Sequence, residues 1–209
     1  MTKRSIFYIL FFALLVVVFM LVLTRIIPGF GDVKLPVLSY VQPFSFTDQD
    51  GNLISEKDVS GKVYVAEYFF TTCKGICPKM NTNMKKIYSA FNKEKNFLIM
   101  SHTVDPDIDK VGKLKRYADS LGISSQNWHL LTGRKDSLYY AARVSYLLDD
   151  PQNNNEKIEQ QFLHTQYFAL VDKKGRVRKI YDGLKKDEIS QLTDDISKLL
   201  QEKSTNTNL

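Results

Sequence analysis

Both cysteines of this 209-residue chain fall in one short stretch, YFFTTCKGICPKMNTNM at residues 68–84, as Cys73 and Cys77 with Pro78 directly after. Two thiols four positions apart can clasp each other, hold a metal ion or pass electrons. As a structural staple the pair would be weak, because a crosslink stabilises chiefly by restricting the unfolded chain and its effect grows with loop length. Dithiol oxidoreductases commonly use Cys-x-x-Cys; here Lys74, Gly75 and Ile76 intervene. That wider gap still permits a disulfide, and it also lets two sulfurs converge on one ion. Two thiolates are too few for a structural zinc site, which takes four ligands. They suit Cu(I), a soft ion content with low coordination, and one imidazole would complete a three-coordinate site.

The chain offers three histidines. His102, in LIMSHTV, and His129, beside Trp128 in NWHLL, lie in apolar runs and read as structural residues. His164 stands between a polar segment and the strand-like TQYFALVD, at the edge of a sheet, where a loop could carry it toward the cysteine turn. On the residues alone it is either a ligand or an edge residue. Met80 and Met84 recur with Ile87 and Phe91 at i, i+4, i+7 and i+11, which is the spacing of a core-facing helical stripe rather than of extra copper ligands.

The elements around the pair follow from periodicity and punctuation. KVYVAEYFF (62–70) is a continuous apolar run that predicts a central strand buried on both faces. Pro78 suits the start of the helix that follows, since its missing N–H would be unpaired there anyway. Cys77 therefore falls at or next to a helix N-terminus, where N–H groups and a partial positive charge favour thiolate, with Lys74 adding a cation. FSFTDQDGNLIS (44–55) predicts two short strands around an Asp-Gly turn, and SEKDVSGK one capped helical turn. NFLIMSHTVDP (96–106) is a second buried strand, DKVGKLKRYADSLG a helix stopped by Gly122, WHLLTG a strand, and RKDSLYYAARVSYLL a helix. Residues 149–161, DDPQNNNEKIEQQ, predict a mobile loop; TQYFALVDKKGRVRKIYDG is a hairpin turning at Lys174-Gly175, and 187–201 a final helix. A cysteine turn between the first central strand and its helix, in an alternating α/β chain, is the thioredoxin-like arrangement: a central mixed sheet with helices on both faces.

Ahead of this domain, Ser5 to Thr24 runs 20 residues without a charge, between Arg4 and Arg25. At about 1.5 Å per residue that spans roughly 30 Å, the hydrocarbon thickness of a bilayer. The run is longer than a signal-peptide core and RIIPGF offers no small-residue cleavage site, so a single uncleaved transmembrane helix is expected. Lys3 and Arg4 favour an N-inside orientation, which leaves the domain outside the cytoplasm. The absence of an Arg-rich presequence favours a bacterial cytoplasmic membrane with the domain facing the periplasm. The expected organisation is an anchor at 1–27, a Pro/Gly-rich linker at 28–43, the domain at 44–201 and a frayed tail at 202–209. The formal charge of +6 does not form a nucleic-acid footprint: three of the 29 basic residues belong to the anchor, leaving 26 against 23 acidic residues, with no concentrated face evident.

FSFTDQDGNLIS, GKVYVAEYFFTTCKGICP, SHTVDPDIDKVGKLKRYA, WHLLTG and FLHTQYFALVDKKGRVRKIYDG together resemble the Sco/SenC family of membrane-anchored, thioredoxin-fold copper proteins that assist assembly of cytochrome c oxidase, over residues 44 to 200. The resemblance implies one copper ion per chain, as Cu(I) or Cu(II), held by Cys73, Cys77 and His164. It implies copper taken from an upstream copper chaperone and delivered to the copper-bearing subunit of the oxidase. The alternative it carries is a thiol–disulfide oxidoreductase that reduces client cysteines before metal insertion, with Cys73 and Cys77 as the redox pair. The family motif commonly reads C-P-D-x-C-P; here Gly75 stands in place of the acid. Asp105 matches a strand-end aspartate of the family, for which a turn-initiating role before Pro106 suffices. A peroxiredoxin-type Thr-x-x-Cys is absent, since Thr71 and Thr72 immediately precede Cys73.

Overall fold

The computed structural model describes residues 3–26, 35–153, 157–163 and 165–202. The chain divides into two units, residues 1–35 and 36–209. In the first, helix α1 (Lys3–Ile26) exposes its long apolar side chains, from Ile6 to Val22. Its 24 residues rise about 36 Å, and among the described residues it is the one helix long and apolar enough to cross a membrane.

The second unit is built on a six-stranded mixed sheet. Its strands are β1 (Ser39–Tyr40), β4 (Val63–Phe69), β5 (Phe97–Thr103), β6 (Trp128–Leu131), β7 (Tyr167–Val171) and β8 (Arg176–Asp182), in the order β1-β8-β7-β4-β5-β6. β4, β5 and β6 run parallel, and β7, β8 and β1 continue the sheet antiparallel from β4. β2 (Ser45–Thr47) and β3 (Leu53–Ser55) form a separate hairpin over the Asp-Gly turn. β1 lies within the segment whose composition reads as a linker, and it pairs with β8 through Ser39–Val177 and Tyr40–Arg176.

Every residue of β4 and β5 is buried, as a strand covered on both faces requires. One face, with Tyr64, Ala66, Tyr68, Leu98 and Met100, packs on Leu138, Tyr139, Ala142 and Tyr146. On the other, α2 (Cys77–Phe91) and α3 (Val111–Leu121) cover the sheet: Phe91 meets Phe97, and Tyr117 stacks on Phe69. Met80, Met84, Ile87 and Phe91 are the buried stripe of α2, and removing each from water stabilises the fold by about 1.5–3 kcal/mol. The methionines are thus core. α5 (Lys186–Gln201) completes the layer.

Two segments depart from their sequence patterns. RKDSLYYAARVSYLL begins as α4 (Lys135–Tyr140) and then widens into a π turn (Ala141–Ser145), in which Tyr146 N–H reaches Ala141 O. Its continuation stops at Leu147, which takes a left-handed φ of 55°. SEKDVSGK makes its capping contacts, Ser55 N–H and Oγ both donating to Asp58 Oδ2 at 2.8 and 2.6 Å, without becoming a helix. The turn is too short to bury an apolar stripe and ends at Gly61, with φ +79°. Part of the expected mobile loop (154–156) lies outside the described residues; just before it, Arg143 holds Asp149 Oδ2 and Asn153 O at 2.8 and 2.9 Å.

Candidate metal and redox centre

β4 ends at Phe69, and the chain turns through residues 70–76 into α2. A carboxylate that is not adjacent in sequence ties this turn down. Asp109, fully buried, accepts hydrogen bonds from Thr71 N–H at 3.0 Å, from the Thr71 hydroxyl and from the Thr103 hydroxyl at 2.7 Å, with Lys113 Nζ 3.5 Å away. Thr71 is two residues before Cys73, so Asp109 positions the cysteine turn from across the strand ends. Asp105, in contrast, opens a turn, its carbonyl accepting from the N–H groups of Ile108 and Asp109 at 3.2 and 2.8 Å.

Cys73 is partly exposed and Cys77 buried, both as free thiols. Their side chains are hydrogen-bonded to each other. Burial pushes the Cys73 thiol up, but this is outweighed by donors that favour its thiolate: the Cys77 thiol and the backbone N–H groups of Cys77, Gly75 and Ile76. Its pKa therefore lies below the ordinary value. Burial, reinforced by the negative Cys73 partner, pushes Cys77 up to about 12. The sequence points to the helix-initial position as the thiolate; the structure corrects this, because the unpaired N–H groups at the start of α2 converge on the preceding Cys73 sulfur.

Beneath the pair lies Glu67, on the α2 side of β4. Its Oε1 accepts from Ser101 Oγ at 2.6 Å, and Ser101 in turn accepts from Trp128 Nε1 at 2.8 Å. Its Oε2 is buried with no partner among the described residues. Burial raises this carboxyl to about 7, against which the Ser101 bond is too weak, and its charge is felt at Cys77.

The sulfurs open into a cleft of about 300 Å³ whose walls include Phe70, Ile76, Val104, Leu163 and Thr165. Tyr139 holds the far wall: its hydroxyl accepts from Leu163 N–H at 3.1 Å and lies 3.1 and 3.2 Å from the carbonyls of Val104 and Gln161. His164, the third residue of the expected ligand set, lies outside the described residues. Its chain neighbours on both sides, Leu163 and Thr165, line the cleft. Among the described residues no third His, Cys, Asp or Glu joins the sulfurs in a metal-sized cluster. His102 is fully buried among the rings of Tyr68, Phe46 and Tyr146, and His129 sits 3.3 Å from Asp48, so both are structural.

Two adjacent sulfurs at the base of a cleft, one inclined to thiolate and one protonated, suit both a soft metal ion and thiol exchange. Sequence reading passed over Asp109, Glu67 and Tyr139. An acid inside an otherwise apolar strand run is the one signal that singles out Glu67.

The SCO1/SenC family model matches residues 35–201. A SCO1 protein homolog of Bacillus subtilis (strain 168) is 32% identical over 172 residues, 80% of this chain and 86% of that protein. The structure of BsSco, a member of the Sco family of cytochrome c oxidase assembly proteins in which a disulfide switch was identified, is 30% identical with a TM-score of 0.68, covering 82% of this chain and all of that one. Bradyrhizobium japonicum ScoI, solved with copper bound, shares the fold at 21% identity and a TM-score of 0.61, over 77% of this chain and 99% of its own. With its thioredoxin-like sheet, its paired cysteines and these matches, the chain belongs to the SCO1/SenC family.

Proposed function

We propose that this protein is a membrane-anchored copper-binding assembly factor that accepts copper outside the cytoplasm and delivers it to the binuclear copper site of a cytochrome c oxidase. The ion is held by Cys73, Cys77 and His164. The observation that carries the reading is the meeting of the hydrogen-bonded sulfurs and the residues flanking His164 on one cleft. The copper-bound ScoI structure and the assembly role of BsSco support the same assignment. A three-coordinate ion leaves room for an incoming sulfur, so transfer proceeds by ligand exchange, and binding releases the Cys77 proton. Copper comes from an upstream chaperone, and α1 anchors the chain with its N-terminus inside and the domain in the periplasm.

The test is an anaerobic Cu(I) competition titration of the reduced protein in detergent, beside His164→Ala. One tight copper per chain, weakened by more than tenfold in the variant, is expected. Binding indifferent to His164 would sink the three-ligand site. A second reading, thiol–disulfide exchange with client cysteines, is favoured by the opposite displacement of the two thiols: a partly exposed nucleophile inclined to thiolate and a buried partner that stays protonated until it resolves a mixed disulfide. Exchange needs the cysteines alone, so His164→Ala separates the two.

A further inference from the structure

The near-balance of 26 basic and 23 acidic residues beyond residue 25, which reads in the sequence as having no concentrated face, conceals one strongly basic segment. From Lys74 to Lys95 the chain carries six lysines and a single acid, Glu94, a net of +5, whereas the rest of the chain beyond residue 25 carries 20 basic and 22 acidic residues. Elsewhere several cations sit against carboxylates: Arg143 with Asp149, Arg178 with Asp172 and Lys198 with Asp195, each at 2.8 Å. Among the described residues none of these six lysines has an ion pair; Lys86 reaches only the Asn83 amide oxygen, at 3.0 Å.

The placement is ordered. Lys79, Thr82, Lys86 and Ser89 are exposed and recur at spacings of three and four, so they form one stripe opposite the buried face of α2, and exposed Lys93 follows just past the end of the helix. At 1.5 Å per residue the stripe runs roughly 15 Å along the helix, and it begins beside Cys77. Unpartnered like charges contribute nothing to the stability of the helix that bears them. They do create a field that steers an oppositely charged partner.

We propose that this face of α2 is the docking surface for a protein partner whose own surface is acidic beside its reactive sulfur. The proposal rests on reading the cysteine pair as an exchange centre. A protein occupant is favoured over a membrane because the stripe abuts an apolar rim at the cleft. There Ile76 and Phe162 remain 39% and 43% exposed, Phe162 standing edge-on to Phe70. An apolar centre with a charged border is the anatomy of a protein interface. The stripe itself has no aliphatic or aromatic side chain to bury among lipids.

The test follows exchange between the full-length reduced protein in nonionic micelles and cysteine peptides bearing a glutamate, glutamine or lysine tail. Each peptide is supplied as its mixed disulfide with thionitrobenzoate. The Cys73 thiolate attacks the peptide sulfur; the Cys73–peptide bond forms as the bond to thionitrobenzoate breaks, and thionitrobenzoate leaves as a coloured thiolate. At low salt the glutamate peptide is expected to react about tenfold faster than the glutamine peptide, with the lysine peptide slowest. The advantage should vanish near 1 M salt, where the screening length is about 3 Å. The combined variant K79Q/K86Q/K93Q should remove it while leaving the glutamine-peptide rate unchanged. Equal rates at low salt, or an advantage that survives in the variant, overturn the docking surface. Silence with every peptide overturns the exchange reading, and the docking proposal with it. If nanodiscs containing phosphatidylglycerol abolish the advantage that phosphatidylcholine nanodiscs preserve, the lysines belong to the membrane and the proposal is overturned.

Discussion

Replacing Glu67 by glutamine should invert an ordinary expectation, that removing a native charge destabilises. Glu67 is fully buried, one of its oxygens has no partner among the described residues, and its carboxyl is raised from 4.5 to about 7 by burial. The fold therefore prefers the protonated acid. Stability from this group is complete below about pH 4.5, is lost progressively as pH rises to about 7, and changes no further above it. At about 1.4 kcal/mol per pH unit, the loss amounts to roughly 3 kcal/mol. Glutamine keeps the Ser101 hydrogen bond without ionising; its buried amide N–H groups add an offset that does not depend on pH. Urea unfolding of the reduced protein and its Glu67→Gln variant from pH 4.5 to 8 should give curves that converge or cross at the acid end and separate by about 3 kcal/mol toward pH 8, in favour of the variant. Working below pH 9 keeps the Cys77 thiol out of the comparison. Parallel curves would refute the reasoning, because they would mean that the folded state holds Glu67 with its ordinary affinity for protons.

Asp109→Ala should lower stability by about 3 kcal/mol in the same urea assay, since it strands the buried Thr103 hydroxyl and the partly buried Thr71 donors. It should also raise the alkylation rate of Cys77, which the loosened turn exposes; an unchanged rate would show that Asp109 does not hold the turn. Iodoacetamide at pH 8 should modify Cys73 well before Cys77, the site assigned by mass spectrometry, and the reverse order would contradict the assigned hydrogen bonds. Gly75→Asp should fold normally, because a Cβ there meets no atom of the described residues within 4 Å. Its carboxylate should shift the Cys73 alkylation profile toward higher pH, and a profile that does not move would show the Cys73 sulfur to be insulated from position 75. Tyr139→Phe, which removes the hydroxyl holding Leu163, should weaken Cu(I) binding severalfold in the competition titration; unchanged affinity would show that the wall before His164 needs no such support.

Much of the fold was legible because local rules and tertiary placement agree in it. The apolar run 62–70 could only be a strand covered on both faces, and β4 is that strand, at the junction of the parallel and antiparallel halves of the sheet. Gly122 ends α3 with φ +64°, and Gly175 turns the β7–β8 hairpin with φ +69°, conformations that glycine reaches without strain. The cysteine pair stood out by type and spacing alone. What periodicity does not encode is which distant side chain meets the turn. Asp109 reaches Thr71 across 38 positions, and Tyr139 reaches Leu163 across 24. Neither contact has a period, and each exists only after β4, β5 and α4 have been assembled.

The same distinction explains why the two thiols came out in the opposite order from a reading of helix position. A helix N-terminus offers its free N–H groups along the axis, toward whatever precedes the first turn, rather than to its own first side chain. With three residues between the cysteines, the earlier sulfur folds back over that end and takes the donors of Gly75, Ile76 and Cys77, while the later one turns inward toward Glu67. Spacing thus does more than permit two sulfurs to meet one ion. On the proposed function it would give them different tasks: Cys73 would offer a partly exposed thiolate at the cleft, and Cys77 would keep a proton to be lost when it binds a metal ion or resolves a mixed disulfide.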